Sequence, residues 1–301
     1  MKPHDWTGVF SAITTPFQAD LTVDHAFLAQ HVSWLLDHGV RGIVPLGSLG
    51  EGSTLSAAEK IAVLTTCRKA TAGRVPLIAG IGTLATADAV ALAREAHRIG
   101  CDGLMVLPPY VYQGDARETF THLSAVIDAT PLSCMLYNNP IAYGTDVTPA
   151  QLGELGRHKN LVAVKDSSGD VRRVREIVQR HGDRFNVFVG LDDAIVEGIA
   201  AGAVGWIAGL VNALPDESVR VFDLTATGHA AEARELYHWF LPLLRLDTVP
   251  KFVQLIKLVQ QEVGQGSERV RPPRLELAGG ERTAALALIR ERMGAVPRPR
   301  T

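Results

Sequence analysis

The chain has 301 residues, 47% of them hydrophobic and 21% charged, enough to bury a full core in one large α/β domain or two smaller ones. Its 30 Lys and Arg residues stand against 32 Asp and Glu, a formal net charge of -2 with no basic stripe, which argues against a nucleic-acid partner and against a polybasic membrane-surface segment. Cys67, Cys101 and Cys134 are odd in number and far apart, the opening MKPHDWTG has no apolar signal-peptide stretch, and no run of about 18 apolar residues occurs, so disulfides, a CxxC zinc site and a membrane span are all unexpected and a reduced cytoplasmic setting is the expectation.

Eight short apolar, β-rich runs recur in chain order: Gly8–Thr15, Gly42–Leu46, Pro76–Gly80, Gly103–Leu107, Ser133–Tyr137, Leu161–Lys165, Asn186–Gly190 and Ala203–Ala208. Between them lie segments with helical spacing, such as Leu28, Val32, Leu35 and Leu36 before Gly39, which put one apolar stripe toward a sheet. Ser56 with Glu59, Asp115 with Glu118, and Thr148 with Gln151 mark helix starts, each a side-chain acceptor followed three residues on by Glu or Gln. Strands alternating with crossover helices predict an α/β fold, a (β/α)8 TIM barrel over residues 1–229. Residues 230–245, 249–263 and 280–293 look helical without further strands, so 230–301 is expected to form an appended C-terminal helical bundle, interrupted at Pro272 and Pro273 and frayed at Pro297–Arg300.

Barrel enzymes build their sites at the C-terminal ends of the strands, which directs attention to the last residue of each run. Lys165 follows the four apolar residues Leu161–Val164 of a buried-strand run, where apolar surroundings would lower its pKa and leave a neutral amine able to attack a carbonyl. The alternative for such a lysine is a solvated cation or a salt bridge to the adjacent Asp166. Tyr137 ends the preceding strand and is suited to shuttle protons at the carbinolamine stage, or else is a buried aromatic with its hydroxyl on backbone. In the Gly47–Glu51 turn, two glycines around Ser48 and Leu49 let N–H groups converge on a carboxylate, and the Ser48 hydroxyl is placed to join a relay with Tyr137.

Taken with Thr14–Phe17 (TTPF), Leu107–Tyr110 (LPPY), Tyr137–Pro140 (YNNP), Val164–Asp170 (VKDSSGD) and Gly190–Asp193 (GLDD), these positions resemble the dihydrodipicolinate synthase and N-acetylneuraminate lyase family over nearly the whole chain. The resemblance implies a Schiff base between Lys165 and a 2-keto acid, with Tyr137 as acid/base and Ser48 in the hydroxyl relay. Thr15, Gly47, Ser48, Leu49, Gly190 and Ile207 would line the substrate pocket. It also implies no metal and no separate cofactor, a small 2-keto or 2-imino acid as partner, and a homotetramer. Two departures stand out: Ala142 occupies the place of an arginine that holds the aldehyde's carboxylate in the synthases, and Val111 that of their relay tyrosine, unless Tyr112 replaces it.

The stretches YNNPIAYGTD, VGWIAGLVNALP and LDTVPKFVQLIKL look like the family members that deaminate 1-pyrroline-4-hydroxy-2-carboxylate in hydroxyproline catabolism, and that activity is the leading expectation. A dihydrodipicolinate synthase, a 2-keto-3-deoxy sugar acid aldolase or dehydratase, and a catalytically silent barrel that only binds a keto acid are the alternatives. Gly80–Ala85 matches GxGxxA loosely, but the strand alternation running through it favours a tight βα turn over a dinucleotide site. Asp192 and Asp193 read as a helix N-cap and a first-turn acid rather than metal ligands, and the ten histidines show no ligand spacing. Lys251 and Lys257 are expected to snorkel from the bundle, and Trp34, Trp206 and Trp239 to pack, Trp206 near the barrel mouth.

Overall fold

The computed structural model describes residues 6–295. All eight apolar runs are strands: β1 Gly8–Ala12, β2 Gly42–Val44, β3 Ile78–Ile81, β4 Gly103–Val106, β5 Ser133–Asn138, β6 Leu161–Asp166, β7 Asn186–Val189 and β8 Gly205–Ala208. Every ladder is parallel, in the order β2-β1-β8-β7-β6-β5-β4-β3. The remaining seam closes by the bridge Ile43 to Leu77 and by the Gly80 amide donating to Pro45 O (2.9 Å), which makes a nearly closed barrel. Parallel strands covered on the outside and packed within have no wet face, which is why their sequences do not alternate with polar residues.

Aromatic rings fill the barrel interior where the sequence supplies glycine on the neighbouring strand. Phe10 and Phe188 meet edge to face with centroids 5.1 Å apart. A Cβ on Gly42 would lie 2.5 Å from the Phe10 ring, and one on Gly205 would lie 2.2 Å from Phe188, so neither position tolerates a side chain without moving a ring.

The covering helices follow in chain order as α1 His25–Asp37, α2 Ala57–Thr71, α3 Thr86–Ile99, α4 Ala116–Asp128, α5 Pro140–Tyr143, α6 Leu152–Leu155, α7 Arg172–His181, α8 Ile195–Ala200 and α9 Pro215–Ala226. Helix α1 buries Leu28, Val32 and Leu35 as the spacing predicts, with His31 in the stripe and Leu36 at its margin. Ser56 with Glu59 and Asp115 with Glu118 form reciprocal capping boxes on α2 and α4. Thr148 and Gln151 make the same exchange just ahead of α6, which is a single turn. The GxGxxA match is a tight turn from β3 toward α3: a Cβ on Gly80 would lie 2.9 Å from Gly47 N, so this glycine admits the neighbouring β2 turn.

Three helices end the described chain, α10 Ala230–Leu244, α11 Phe252–Glu262 and α12 Gly279–Met293. Trp239 of α10 donates its indole N–H to Arg292 O of α12 (2.8 Å), which ties two of them together. Exposed Lys251 pairs with Glu281, as a snorkelling lysine does. Lys257 does not snorkel: it is 1% exposed and turned into the barrel rim, a correction whose cause is its partner Glu51, 206 residues earlier. No helix among the described residues is long and apolar enough to cross a membrane. The fraying expected at Pro297–Arg300 lies outside the described residues.

Candidate active site

Register brings the first two candidates together. Tyr137 of β5 is the direct ladder partner of Lys165 of β6, which in turn pairs with Phe188 of β7, so all three side chains share the interior face. Lys165 is 6% exposed and holds Nζ 4.1 Å from the centroid of the Tyr137 ring. Strand alternation sends the next residue the other way. Asp166 accepts from Ser168 N (3.0 Å), Ser168 Oγ (2.5 Å) and Asn138 Nδ2 (3.3 Å), with Arg173 at 3.8 Å, so it is occupied elsewhere and is not the partner of Lys165. Gly190, just past β7, has no room for a side chain: a Cβ there would meet Ser167 Oγ at 2.1 Å and Lys165 Cε at 2.7 Å. The Ser167 hydroxyl is buried beside this gap without a hydrogen-bond partner among the described residues.

The Gly47–Glu51 turn faces this pair from β2. Leu46 and Glu51 both take left-handed backbone (φ 67° and 51°), an arrangement that needs outside support when the residue is not glycine. The support is layered behind the turn. Thr15 Oγ1 donates to Gly50 O (2.6 Å), so its hydrogen is spent on the turn. Glu51, fully buried, accepts from Lys257 Nζ (2.5 Å) and from Arg271 N (3.0 Å), while the same ammonium reaches Thr15 O and Arg269 O, both at 2.8 Å. The N–H groups of Ser48 and Leu49 have no acceptor among the described residues, as an anion nest requires.

The partner of Ser48 is not the one expected. Its Oγ bonds the hydroxyl of Tyr143, whereas the Tyr137 hydroxyl accepts from Asn139 Nδ2 (2.9 Å), so the anticipated Ser48 to Tyr137 bond is absent. Tyr143 packs its ring edge-on against Tyr137 (5.9 Å) and tilted against Tyr110 (5.5 Å). Burial, followed by the neighbouring Tyr137, pushes its phenol above the usual tyrosine range. Exposed Tyr112 turns away to bond Glu118 and does not reach Ser48 in its own chain. Ala142, exposed on α5, offers no charge to a ligand.

Two carboxyls, Asp192 and the partly buried Asp247, complete the surroundings of Lys165, which are therefore less apolar than the strand run predicts. Asp192, fully buried, does not cap its own helix. It accepts from Trp206 Nε1 (3.0 Å), Gly209 N and Leu210 N (2.8 Å), and so joins the β7 loop to the end of β8, giving Trp206 a polar tie as well as a packing role. Asp193 is half-buried, and burial raises its carboxyl. Asp247, unforeseen from the sequence, keeps Oδ1 buried and unpartnered, and only the missing side chain of Gly209 lets it in, since a Cβ there would lie 2.1 Å from that oxygen. Burial raises Asp192 to about 6 and Asp247 well above the carboxylate range, with Lys165 pulling both the other way. Ile207 of β8 is buried in register with Phe10, on the face it shares with Gly205. Among the described residues no cluster of three or more His, Cys, Asp or Glu could hold a metal ion.

These carboxyls set a pH dependence. Their folded pKa values exceed the unfolded ones, so the stability they contribute is full below about 4 and is lost as pH rises through 6 and beyond. Asp247→Asn copies the protonated form and is expected to shrink the fall in thermal midpoint between about pH 5 and about pH 8. An unchanged fall would contradict the assignment.

The chain matches the Dihydrodipicolinate synthetase family over residues 5–292. It is 33% identical over 288 residues to the 4-hydroxy-tetrahydrodipicolinate synthase of Geotalea uraniireducens, covering 94% of this chain and 98% of that one. It is also 33% identical over 285 residues to that of Methanosphaerula palustris, covering 94% and 97%. The dihydrodipicolinate synthase of Bacillus anthracis superposes with a TM-score of 0.91 at 28% identity, over 97% of this chain and 99% of that one. YagE of Escherichia coli, a prophage protein of the same family solved with pyruvate, gives 0.90 at 27% identity, over 96% and 99%. With the barrel, the strand-end lysine and this match in hand, the chain belongs to the dihydrodipicolinate synthetase family of class I lyases, which work through a lysine Schiff base with a keto acid and use no metal or separate cofactor.

Proposed function

We propose that Lys165 is the Schiff-base lysine of a lyase acting on a small 2-keto or 2-imino acid, and that the reaction is deamination of 1-pyrroline-4-hydroxy-2-carboxylate. The observation that carries the first part is Nζ of a buried lysine 4.1 Å over the Tyr137 ring at the mouth of the barrel. The free N–H groups of Ser48 and Leu49 would take the substrate carboxylate, Tyr137 would move protons, and Gly190 and Ile207 would border the imine. What supports the finer part is Ala142, which leaves no arginine at the position where the family's synthases hold a second carboxylate.

The chemistry balances with these groups. The Lys165 amine adds to the ring C=N and the ring nitrogen leaves C2 as a primary amine, still attached at C5. The protein imine acidifies C3, whose proton departs as the C4 hydroxyl leaves as water. Proton shifts turn C5 into an imine, and hydrolysis there releases ammonia. A second hydrolysis frees 2-oxoglutarate semialdehyde from Lys165, so the net reaction consumes one water.

A second reading, a synthase joining pyruvate to an aldehyde, draws on the names of the relatives and on one observation. Arg274 is half-buried, its guanidinium has no hydrogen bond or ion pair among the described residues, and its charge acts on both Tyr143 and Lys257. That cation would take the aldehyde's carboxylate in place of the absent arginine. The test supplies each substrate in turn. Ammonia released from the pyrroline, with no pyruvate consumed alongside aspartate semialdehyde, is expected; pyruvate consumption without ammonia release would replace the first reading by the second. A homotetramer and a cytoplasmic location belong to the same proposal.

A further inference from the structure

We propose that Tyr143 is the hydroxyl that links Tyr137 to Ser48 in the proton relay and that one chain supplies the whole relay. The proposal rests on the Schiff-base reading of Lys165 and goes beyond it by naming the residue that serves Tyr137 and Ser48.

The local sequence aims this side chain. Asn139 caps α5 with its Oδ1 on Ala142 N (3.0 Å), Pro140 starts the helix with its preset φ, and Gly144 ends it in left-handed backbone (φ 71°) with its amide on Pro140 O (2.9 Å). One rigid turn therefore carries Tyr143 from the end of β5 back over the barrel mouth. The same Asn139 donates Nδ2 to the Tyr137 hydroxyl, so one amide sets both tyrosines. Because the Tyr137 oxygen already accepts that bond, its own hydrogen is left to point toward a ligand on Lys165.

Ser48 has one hydroxyl partner, Tyr143, and no other tyrosine approaches it among the described residues. Val111 has no hydroxyl, and the Tyr112 hydroxyl lies on Glu118. Tyr110, Tyr137, Lys165 and Arg274 are the ionisable groups around this cluster. Burial keeps the Tyr143 phenol protonated, which is the state a donor needs.

The proton count sets the role. Attack by the neutral amine on a carbonyl gives a carbinolamine, and loss of its hydroxyl as water needs one proton, equal to the one the ammonium of Lys165 gives up beforehand. Tyr137 delivers that proton and is left as phenolate. Tyr143 restores it and draws a replacement through the Ser48 hydroxyl. No oxidant or further reactant enters.

The experiment follows imine formation with pyruvate by quenching with borohydride at timed intervals. The intact protein should yield a trapped adduct, and Tyr143→Phe, which keeps the ring packing, should form it about 100-fold more slowly at saturating pyruvate with half-saturation unchanged. Ser48→Ala should slow it to a similar degree. The double variant should be no slower than the slower single, because the two hydroxyls act in series. Tyr112→Phe should keep the original rate. Imine formation at the original rate in Tyr143→Phe, additive losses in the double variant, or a loss in Tyr112→Phe equal to that in Tyr143→Phe would each overturn the relay. Absence of any adduct in the intact protein would overturn the lysine reading itself, a failure separate from that of the relay.

Discussion

Lys165→Ala is expected to lower turnover by about 10⁴-fold or more while the protein still folds. The size follows from chemistry: without the amine no imine forms, and no neighbouring group replaces a covalent nucleophile that acidifies the adjacent carbon. Tyr137, Ser48 and the free N–H groups would remain and would retain part of the affinity for a keto acid. Folding should survive because Lys165 makes no ion pair among the described residues that its loss would break, and losing its charge adds only to the upward shift that burial already gives Asp192 and Asp247. Steady-state turnover beside a keto-acid binding titration measures this. Undiminished turnover would remove Lys165 from the mechanism, and a protein with no turnover in either form would instead be the silent binding barrel.

The second large effect is on stability. Lys257→Met should cost about 3–5 kcal/mol, because it strands the Glu51 carboxylate in the interior without its cation. The ammonium it removes also binds Thr15 O and Arg269 O and lies 4.4 Å over the Phe17 ring, so four groups lose a partner at once. Burial lowers the pKa of Lys257 while Glu51 pulls it up, the opposition expected of a buried pair whose attraction offsets its desolvation. In a chain of this size the loss corresponds to a thermal midpoint lower by about 10 °C. Affinity for a keto acid should fall with it, since Glu51 is the left-handed residue that shapes the turn presenting the Ser48 and Leu49 amides. A Lys257→Met protein that melts within about 2 °C of the original would show that the pair carries little.

The barrel could be read from sequence because its signals are local. Each strand is a short apolar run, and Ser56 with Glu59 or Asp115 with Glu118 are caps that need only three residues of spacing. Lys165 and Tyr137 were equally visible, since both end such runs and parallel order makes them neighbours. What escaped depends on partners far apart in the chain. Lys257 has the sequence surroundings of an amphipathic-helix lysine, and nothing near it points to Glu51. Asp247 enters its place only because Gly209 lacks a side chain. Tyr143 was legible in part: Asn139, Pro140 and Gly144 announce a capped single turn, but the direction in which that turn aims its tyrosine depends on the barrel beneath it. That direction replaced the anticipated Ser48 to Tyr137 bond with one to Tyr143.

Borohydride reduction in the presence of pyruvate, followed by peptide mapping, tests the central claim most directly. A reduced pyruvate adduct on Lys165, and on no other lysine, is the result expected from its burial against Tyr137 beneath the Gly47–Glu51 turn. An adduct on Lys257 or Lys251 with Lys165 unmodified, or no adduct while turnover proceeds, would contradict it.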